Sequence, residues 1–455
     1  MRRQIVMGAV CAAMLAGCKV GPNYKRPDVA APPQFRAADA AAQAASLGEA
    51  RWFDIFQDDV LRGLIQEAIQ ANYDVRIAAQ RVLEAEGQLA VTRAAVFPQL
   101  NAQGSGTRQG SNSPTQSALG VFGAVSWELD LFGKLRRANE AQRANLLASK
   151  ENQAAVLQSL VAQVASAYLN LREYDLELEY VNASLTARKD SLRLVKARQV
   201  GGVGTMLEVD QSTSLVAAAQ GNAAQLERAA EQTENLIQFL LGKQPGPVVR
   251  GKSLAEQAQP PAVPAGLPSE LLARRPDLRV AEQQLVAANA RVGAAKALFF
   301  PSISLTGGGG YQTTDLFGLI SKTGPAYSLG GTVDLPIFDA GRRVGNYKLA
   351  QAQKEQLVIG YQKAVNQAFR EVSDALIGYQ KSKEFRTQQE LFANTLRDQS
   401  RLSGLRYRGG VTSYLEVLDT ERQRLAAEQQ LAQAKRDELV SLVTLYKALG
   451  GGWQQ

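Results

Sequence analysis

The amino-acid sequence predicts a mainly α-helical chain that also carries four β-strands of the kind that cross a membrane. Three observations indicate this fold class: two helical patterns of more than 60 residues, four segments of alternating polarity, and a repeat of the whole arrangement about 200 residues later. The 455 residues have room for two or three ordinary domains or one long architecture. With 45% hydrophobic and 21% charged residues, the composition is that of a folded protein.

Composition also excludes several classes of function. The chain has no histidine, so histidine-based catalytic triads and histidine metal sites are excluded. Its two cysteines, Cys11 and Cys18, lie near the N-terminus and cannot form a disulfide framework or a thiolate metal site. The formal charge of +8 comes without a basic block or a nucleic-acid-binding motif. We therefore expect no enzyme, no metal cofactor and no nucleic-acid partner.

The N-terminus carries a targeting signal. Residues 1–17 join a short basic start to an 11-residue apolar run, which is typical of a secretory signal peptide. The run ends in LAGC at 15–18, which resembles a bacterial lipobox and implies N-palmitoyl and S-diacylglycerol groups on Cys18, heading a lipidated tail over 18–57. Lys19 follows, and the resemblance then implies sorting to the outer membrane. The alternative is an ordinary signal peptide with a chance cysteine.

The rest of the chain is two related halves, predicted at 58–242 and 269–450. Residues 74–98 return at 277–301 with 8 of 25 positions identical, and residues 198–209 return at 406–417 with 7 of 12 identical. A repeat this long indicates a duplicated half rather than a solenoid. A proline-rich linker at 243–268 joins the halves, and 451–455 is a short tail.

Each half contains a long helical run without proline, a glycine turn and a shorter helix. The predicted helices cover four segments: 134–199, 207–241, 341–407 and 413–448. A run of 66 residues measures about 100 Å as an α-helix, too long for a compact globule. The pattern favours a coiled-coil-like helical wall.

Four strands are predicted at about 100–110, 118–131, 302–313 and 326–337. Apolar and polar residues alternate along them, as in the strands of a transmembrane barrel, although a sheet packed on a helix would alternate too. We see no later stretch of about 18 apolar residues, so we expect no membrane-crossing helix. Four strands cannot close a barrel, and lipid does not tolerate open sheet edges. Two copies would supply eight strands and three copies twelve.

Several motifs along the whole chain resemble one family. Besides the lipobox, they are GPNYKRP at 21–27, WELDLFG at 127–133, ARRPD at 273–277, FPSISL at 300–305 and LYKALGGGW at 445–453. The chain is similar to the TolC/OprM-like outer-membrane factors of tripartite efflux systems, in the NodT group of lipoproteins. This resemblance implies a homotrimer with a twelve-stranded outer-membrane β-barrel on a periplasmic α-helical barrel. It also implies two protein partners, a periplasmic adaptor and an inner-membrane pump of the resistance-nodulation-division (RND) type, along with outer-membrane lipid.

The resemblance implies two functional sites. Helix turns meet the adaptor in the family, and that role is carried onto Gly202, Val203, Gly204, Thr205, Gly410, Val411 and Thr412. In OprM-like members a leucine and an aspartate form constriction rings. The spacing of Leu415 and Asp419 matches, and Arg422 is a plausible partner for the carboxylate. The alternatives are structural turns without a partner and a solvated helix face.

The resemblance implies a passive outer-membrane exit duct for drugs or other small toxic compounds, with a gate at its periplasmic end. The alternatives are a duct for type I protein secretion or metal-ion efflux, and a structural tether.

Overall fold

The computed structural model describes residues 19–30, 32–36, 46–49, 51–55, 57–110, 116–257, 268–314 and 325–453. The signal segment, Cys18, much of the tail after it and most of the proline-rich linker lie outside these residues. The chain divides into two compact units. The first contains Gln80–Glu151 and Asp277–Ala364 with the N-terminal residues up to Val29, and the second contains the rest.

Helices dominate the described chain, and four strands accompany them, as the sequence predicted. The helices are α1 Trp52–Ile55, α2 Asp59–Ala71, α3 Tyr73–Ala94, α4 Lys134–Val200, α5 Met206–Leu240, α6 Pro268–Arg274, α7 Pro276–Ala297, α8 Arg342–Arg408 and α9 Tyr414–Ala448. The strands are β1 Gln99–Gln109, β2 Gln116–Leu129, β3 Ser302–Thr313 and β4 Pro325–Asp334. Both long helices, α4 and α8, have 67 residues, and both that follow them, α5 and α9, have 35. The pseudo-repeat is therefore structural as well as sequential.

The four strands form one antiparallel sheet in the order β1-β2-β3-β4. Gln99 lies opposite Ser126, and β2 and β3 join the two halves of the chain side by side. Along β4 the apolar side chains at alternate positions are exposed, with Tyr327 at 87% and Leu329 at 86%. Among the described residues, strands β1 and β4 are each paired on one edge only.

Two of the strands end earlier than predicted, at Leu129 and Asp334, and an aspartate between each strand and the next helix caps that helix. The Asp130 carboxylate accepts hydrogen bonds from the backbone N–H groups of Leu135 (3.1 Å) and Arg136 (2.8 Å). The Asp339 carboxylate accepts one from the N–H of Arg343 (3.1 Å). These N–H groups have no partner within their own helix. The alternating pattern through 131 and 337 was therefore wrong as a strand prediction at its last residues.

In the second unit, each half of the chain closes on its own last helix through a polar side chain. The Asn72 amide donates to the carbonyl of Leu240 near the end of α5 (2.9 Å). At the matching position of the repeat, the Arg275 guanidinium donates to the carbonyl of Ala448 at the end of α9 (3.3 Å). Both residues stand between two short helices, so the same junction is built twice with different chemistry.

One 18-residue stretch of α4 is apolar and poor enough in charge to cross a membrane by length and composition alone. No such stretch was expected from the sequence, and that expectation was wrong for the composition of α4. Half of the stretch is buried inside the protein. Side chains such as Val161, Val164 and Tyr168 of α4 are fully or almost fully buried in the second unit. A core helix passes the same composition test as a membrane-spanning one.

Candidate functional site at the two helix turns

The turn between α4 and α5 is a Schellman motif. The N–H of Val203 donates to the carbonyl of Arg198 (3.0 Å), and that of Gly202 donates to Gln199 (3.1 Å). Gly202 has φ +76°, a left-handed conformation that side chains with a Cβ disfavour. The sequence predicted a glycine-dependent turn here, and the backbone explains why a glycine is needed.

The turn between α8 and α9 repeats this backbone. The N–H of Val411 donates to the carbonyl of Arg406 (2.9 Å), the N–H of Gly410 donates to Tyr407 (3.0 Å), and Gly410 has φ +73°. Both turns therefore reverse the chain through the same pair of backbone hydrogen bonds and a glycine of positive φ.

The residues that begin the next helix differ between the two turns. Thr205 and Glu208 form a capping box: the Thr205 hydroxyl accepts from the Glu208 N–H (3.3 Å), and the Glu208 carboxylate accepts from the Thr205 N–H (2.8 Å). At the second turn Glu416 accepts instead from the Thr412 hydroxyl and lies 3.8 Å from the Arg406 guanidinium. The second turn is thus tied to the end of α8 by an exposed ion pair.

Both turns expose apolar side chains. Val203 is 69% exposed and Val411 is 71% exposed, and Leu207 and Leu415 on the following helices are similarly open. Neighbouring exposed apolar side chains at a chain reversal form a surface suited to contact with another protein. The predicted contact residues Gly204 and Thr205 lie in this surface beside Val203.

The candidate gate lies on an exposed face of α9. Leu415 is 65% exposed, and Asp419 lies one turn further along the helix. The Asp419 carboxylate accepts hydrogen bonds from the Arg422 guanidinium (2.9 Å) and the Gln423 amide (2.6 Å). The hydrogen bond from Arg422 is the main cause that holds the pKa of Asp419 below its usual value. Asp419 is therefore ionised at neutral pH.

Sequence reasoning foresaw Arg422 as the partner of Asp419 but missed Gln423. The other face of α9 packs inside the chain, where Val417, Thr420 and Leu425 are buried. The side chains of Leu415, Asp419 and Arg422 thus lie on the solvent-facing side of the helix.

A family model for outer membrane efflux proteins matches residues 64–243 and 267–451. The chain belongs to the outer membrane efflux protein family. The two matched segments correspond closely to the two halves seen in the sequence, and the match confirms the resemblance that the motifs indicated.

Similar proteins point the same way. The cation efflux system protein CusC of Escherichia coli O6:H1 is 35% identical over 452 residues, which cover 98% of both chains. The solvent efflux pump outer membrane protein SrpC of Pseudomonas putida is 38% identical over 459 residues, covering 97% of this chain and 96% of SrpC. The crystal structure of the open state of the Neisseria gonorrhoeae MtrE outer membrane channel is 32% identical, with a TM-score of 0.89 over 96% of this chain and 99% of MtrE. This efflux protein is therefore an outer-membrane channel, as the sequence predicted.

One network near the turns of this efflux protein was missed by sequence reasoning. The Arg198 guanidinium donates to the Tyr407 hydroxyl and lies 5.6 Å from the centre of its ring. The Tyr407 and Tyr414 rings are 5.3 Å apart, and the Tyr414 hydroxyl lies 3.0 Å from that of Ser212. The network connects the two turns. The repeat alignment held the signal, because the second half has tyrosines where the first half has Gln199 and Met206.

Nearer the middle of α4 is a buried pair of carboxylates, which sequence reasoning also missed. Glu173 and Glu177 are 2% and 3% exposed. The amides of Gln429 and Gln433 on α9 donate to Glu177 (3.1 and 2.9 Å), while the Arg436 guanidinium stays 3.7 Å from Glu173. Burial is the main cause that raises the pKa of Glu173 to about 8, and the nearby Glu177 contributes to the same shift. Glu173 is therefore mostly protonated at neutral pH.

Proposed function

We propose that this efflux protein is the outer-membrane exit duct of a tripartite RND-type pump and works as a homotrimer. The observation that carries the proposal is the four-stranded sheet, in which β1 and β4 each have one edge without a partner strand in the described part of the chain. Open edges are not tolerated in lipid, and four strands are too few to close a barrel. Three copies joined edge to edge supply twelve strands, as the family resemblance implies, above a periplasmic barrel made of the long helices.

The partners follow from the two turns. A periplasmic adaptor contacts the exposed surface at Gly202–Thr205 and Gly410–Thr412, and the inner-membrane RND pump supplies the drive. Support comes from the two matching Schellman turns and from the exposure of Val203 and Val411. The adaptor surface and the pump partner are part of the proposal.

The anchor is a lipid on Cys18, with N-palmitoyl and S-diacylglycerol groups. Cys18 itself lies outside the described residues, but the chain directly after it is held in place. The N–H of Val20 donates to the carbonyl of Phe132 (3.2 Å), between the end of β2 and the start of α4. A lipid on Cys18 would therefore start close to the level where the sheet ends.

Accumulation of dyes, antibiotics and organic solvents in cells tests the function. Cells that lack this gene should accumulate more of the pump's substrates, and restoring the gene should reverse the effect. Unchanged accumulation across a broad panel would contradict the drug-efflux assignment.

The gate is tested by single-channel conductance. Asp419→Ala and Leu415→Ala should each raise the conductance of the closed state, because each removes one of the proposed rings of three side chains. The matched control is Asp210→Ala, which removes an exposed carboxylate from the corresponding region of α5. Unchanged conductance in both gate variants would remove the gate assignment.

A second candidate substrate class is metal cations, favoured by the 35% identity to a cation efflux system protein. Among the described residues no group of three or more histidine, cysteine, aspartate or glutamate side chains is placed to hold a metal ion. Metal tolerance of the deletion strain separates the two classes. Sensitivity to metal salts without sensitivity to drugs would favour cations.

A further inference from the structure

A cavity of about 690 Å³ opens in the first unit, where the strands give way to the helices. Four cationic side chains line it: Lys19, Arg93, Arg136 and Arg143. Its apolar side includes Val96 and Phe97, and Phe97 is 63% exposed. We propose that this cavity binds the phosphate-bearing headgroup of an anionic phospholipid from the periplasmic leaflet of the outer membrane.

The cavity has more positive than negative side chains in its lining, which favours the binding of an anion. Its one lining carboxylate, Glu140, already accepts from Arg137 (3.0 Å) and pairs with Lys19. Arg136 pairs with Asp130 (3.2 Å). Within the described part of the chain, the side chains of Arg93 and Arg143 make neither a hydrogen bond nor an ion pair. These two guanidiniums are therefore available for phosphate oxygens, which their planar geometry suits.

The apolar side of the cavity favours a lipid over a free phosphate ion. Val96 and Phe97 stand beside the arginines, and the Trp127 indole N–H donates to the carbonyl of Val96 (2.9 Å). Tryptophan and other amphipathic aromatic side chains concentrate where a membrane meets water. A cavity lined by both guanidiniums and aliphatic or aromatic groups matches a headgroup with the first part of its acyl chains.

The position of the cavity fits the periplasmic leaflet. β1 begins at Gln99, two residues after Phe97, and β2 ends at Leu129, seven residues before Arg136. This step rests on the proposed function, in which the sheet spans the outer membrane and the helices extend into the periplasm. Lys19 directly follows Cys18, so a lipid on that cysteine would enter the same leaflet.

The test compares two double variants of the purified trimer. In R93Q/R143Q both free guanidiniums are removed from the cavity. The matched control R76Q/R81Q removes two exposed arginines from α3, the helix that carries Arg93, at positions outside the cavity. Binding of phosphatidylglycerol is measured by titration in detergent, with phosphatidylethanolamine as the neutral comparison lipid.

We expect wild type and the control to prefer phosphatidylglycerol, and R93Q/R143Q to bind it about 30-fold more weakly. Each basic residue contributes about a fivefold factor near an anionic lipid surface. Equal affinity in wild type and R93Q/R143Q, or an equal loss in the control, would overturn the proposal. A wild-type trimer that binds no phosphatidylglycerol would also overturn the proposal. This result is expected if a neighbouring copy fills the cavity in the trimer.

Two further measurements separate the possible causes of failure. Inorganic phosphate that displaces the lipid at a similar concentration would show a free-anion site and overturn the lipid assignment. Single-channel recording with the same preparations reports on the proposed function independently. A trimer that conducts without lipid preference overturns only the lipid site, whereas a protein that never inserts overturns the exit duct.

Discussion

Glu173 and Glu177 lie one turn apart on α4, and the burial of two carboxylates so close together favours keeping a proton on one of them. The charged groups that face Glu173 are Glu177 on the same helix and Arg436 and Asp437 on α9. Arg436 is at 3.7 Å, too far for a direct hydrogen bond to the Glu173 carboxylate. Burial therefore outweighs its attraction, and the pKa of Glu173 lies above its ordinary value.

This arrangement predicts how stability depends on pH. Between the ordinary pKa of 4.5 and about 8, the folded chain keeps a proton on Glu173 that the unfolded chain has released. The free energy of unfolding should therefore fall as pH rises through this window, by up to about 1.4 kcal/mol per pH unit. Glu173→Gln has no proton to lose, so its stability should vary less with pH.

Denaturant unfolding of the detergent-solubilised protein across a pH series measures this slope. Glu179→Gln, which changes an exposed carboxylate on the same helix, serves as the control and should keep the wild-type slope. Identical slopes in wild type and Glu173→Gln would mean that Glu173 is ionised in the folded chain.

At the scale of elements, the two helix turns share one backbone device that depends on a single glycine. Gly202 and Gly410 both have positive φ, and a Cβ at either would meet no atom within 4 Å. Substitution at these positions therefore costs conformational energy alone, without a steric clash.

Gly202→Ala or Gly410→Ala should each lower stability by about 1 kcal/mol, since left-handed backbone costs an alanine about that much. Gly221→Ala is the matched control: it also has open space at its Cβ, but it lies inside α5. This control should raise stability by up to about 1 kcal/mol, because alanine is the better helix former. Thermal unfolding of the variants measures both signs, and a loss in all three would point to some cause other than the turn conformation.

The sequence predicted the helices better than the ends of the strands. Long runs without proline and with few glycines can form little except a helix, and the turn glycines mark where each run stops. Asp130 continued the alternation of β2, and only its hydrogen bonds to the next helix show that the strand has ended. β4 ends at Asp334, although the predicted strand ran on to 337. The network of Arg198, Tyr407 and Tyr414 was also missed, because the repeat shows where the two tyrosines replace Gln199 and Met206 but not that Arg198, about 200 residues away, contacts Tyr407.

At the scale of the whole molecule, the alternation along β4 assigns one face to lipid and the other to a polar interior. Leu329 belongs to the exposed apolar row, and Ser328 points to the other face of the sheet. Both lie near the middle of the strand, so both are near the middle of the membrane if the sheet spans it.

Leu329→Lys should destabilise the folded barrel by about 2–4 kcal/mol, the cost of a lysine facing lipid near the middle of the membrane. Ser328→Lys, with the same added charge on the other face, should cost far less. The amount of assembled trimer recovered from the outer membrane measures the difference. Equal losses in both variants would favour the alternative of a sheet packed against other protein.

The double junction at Asn72 and Arg275 has a consequence for the continuity of the chain. Each of these side chains donates a hydrogen bond within its own half of the chain. Asn72 donates to the carbonyl of Leu240, and Arg275 donates to the carbonyl of Ala448. Neither hydrogen bond involves the segment at 243–268 that links the halves. A covalent break in that segment would leave both intact, with β2 and β3 still able to pair. In this respect each half holds its own last helix without the link, and two separate genes could encode the two halves.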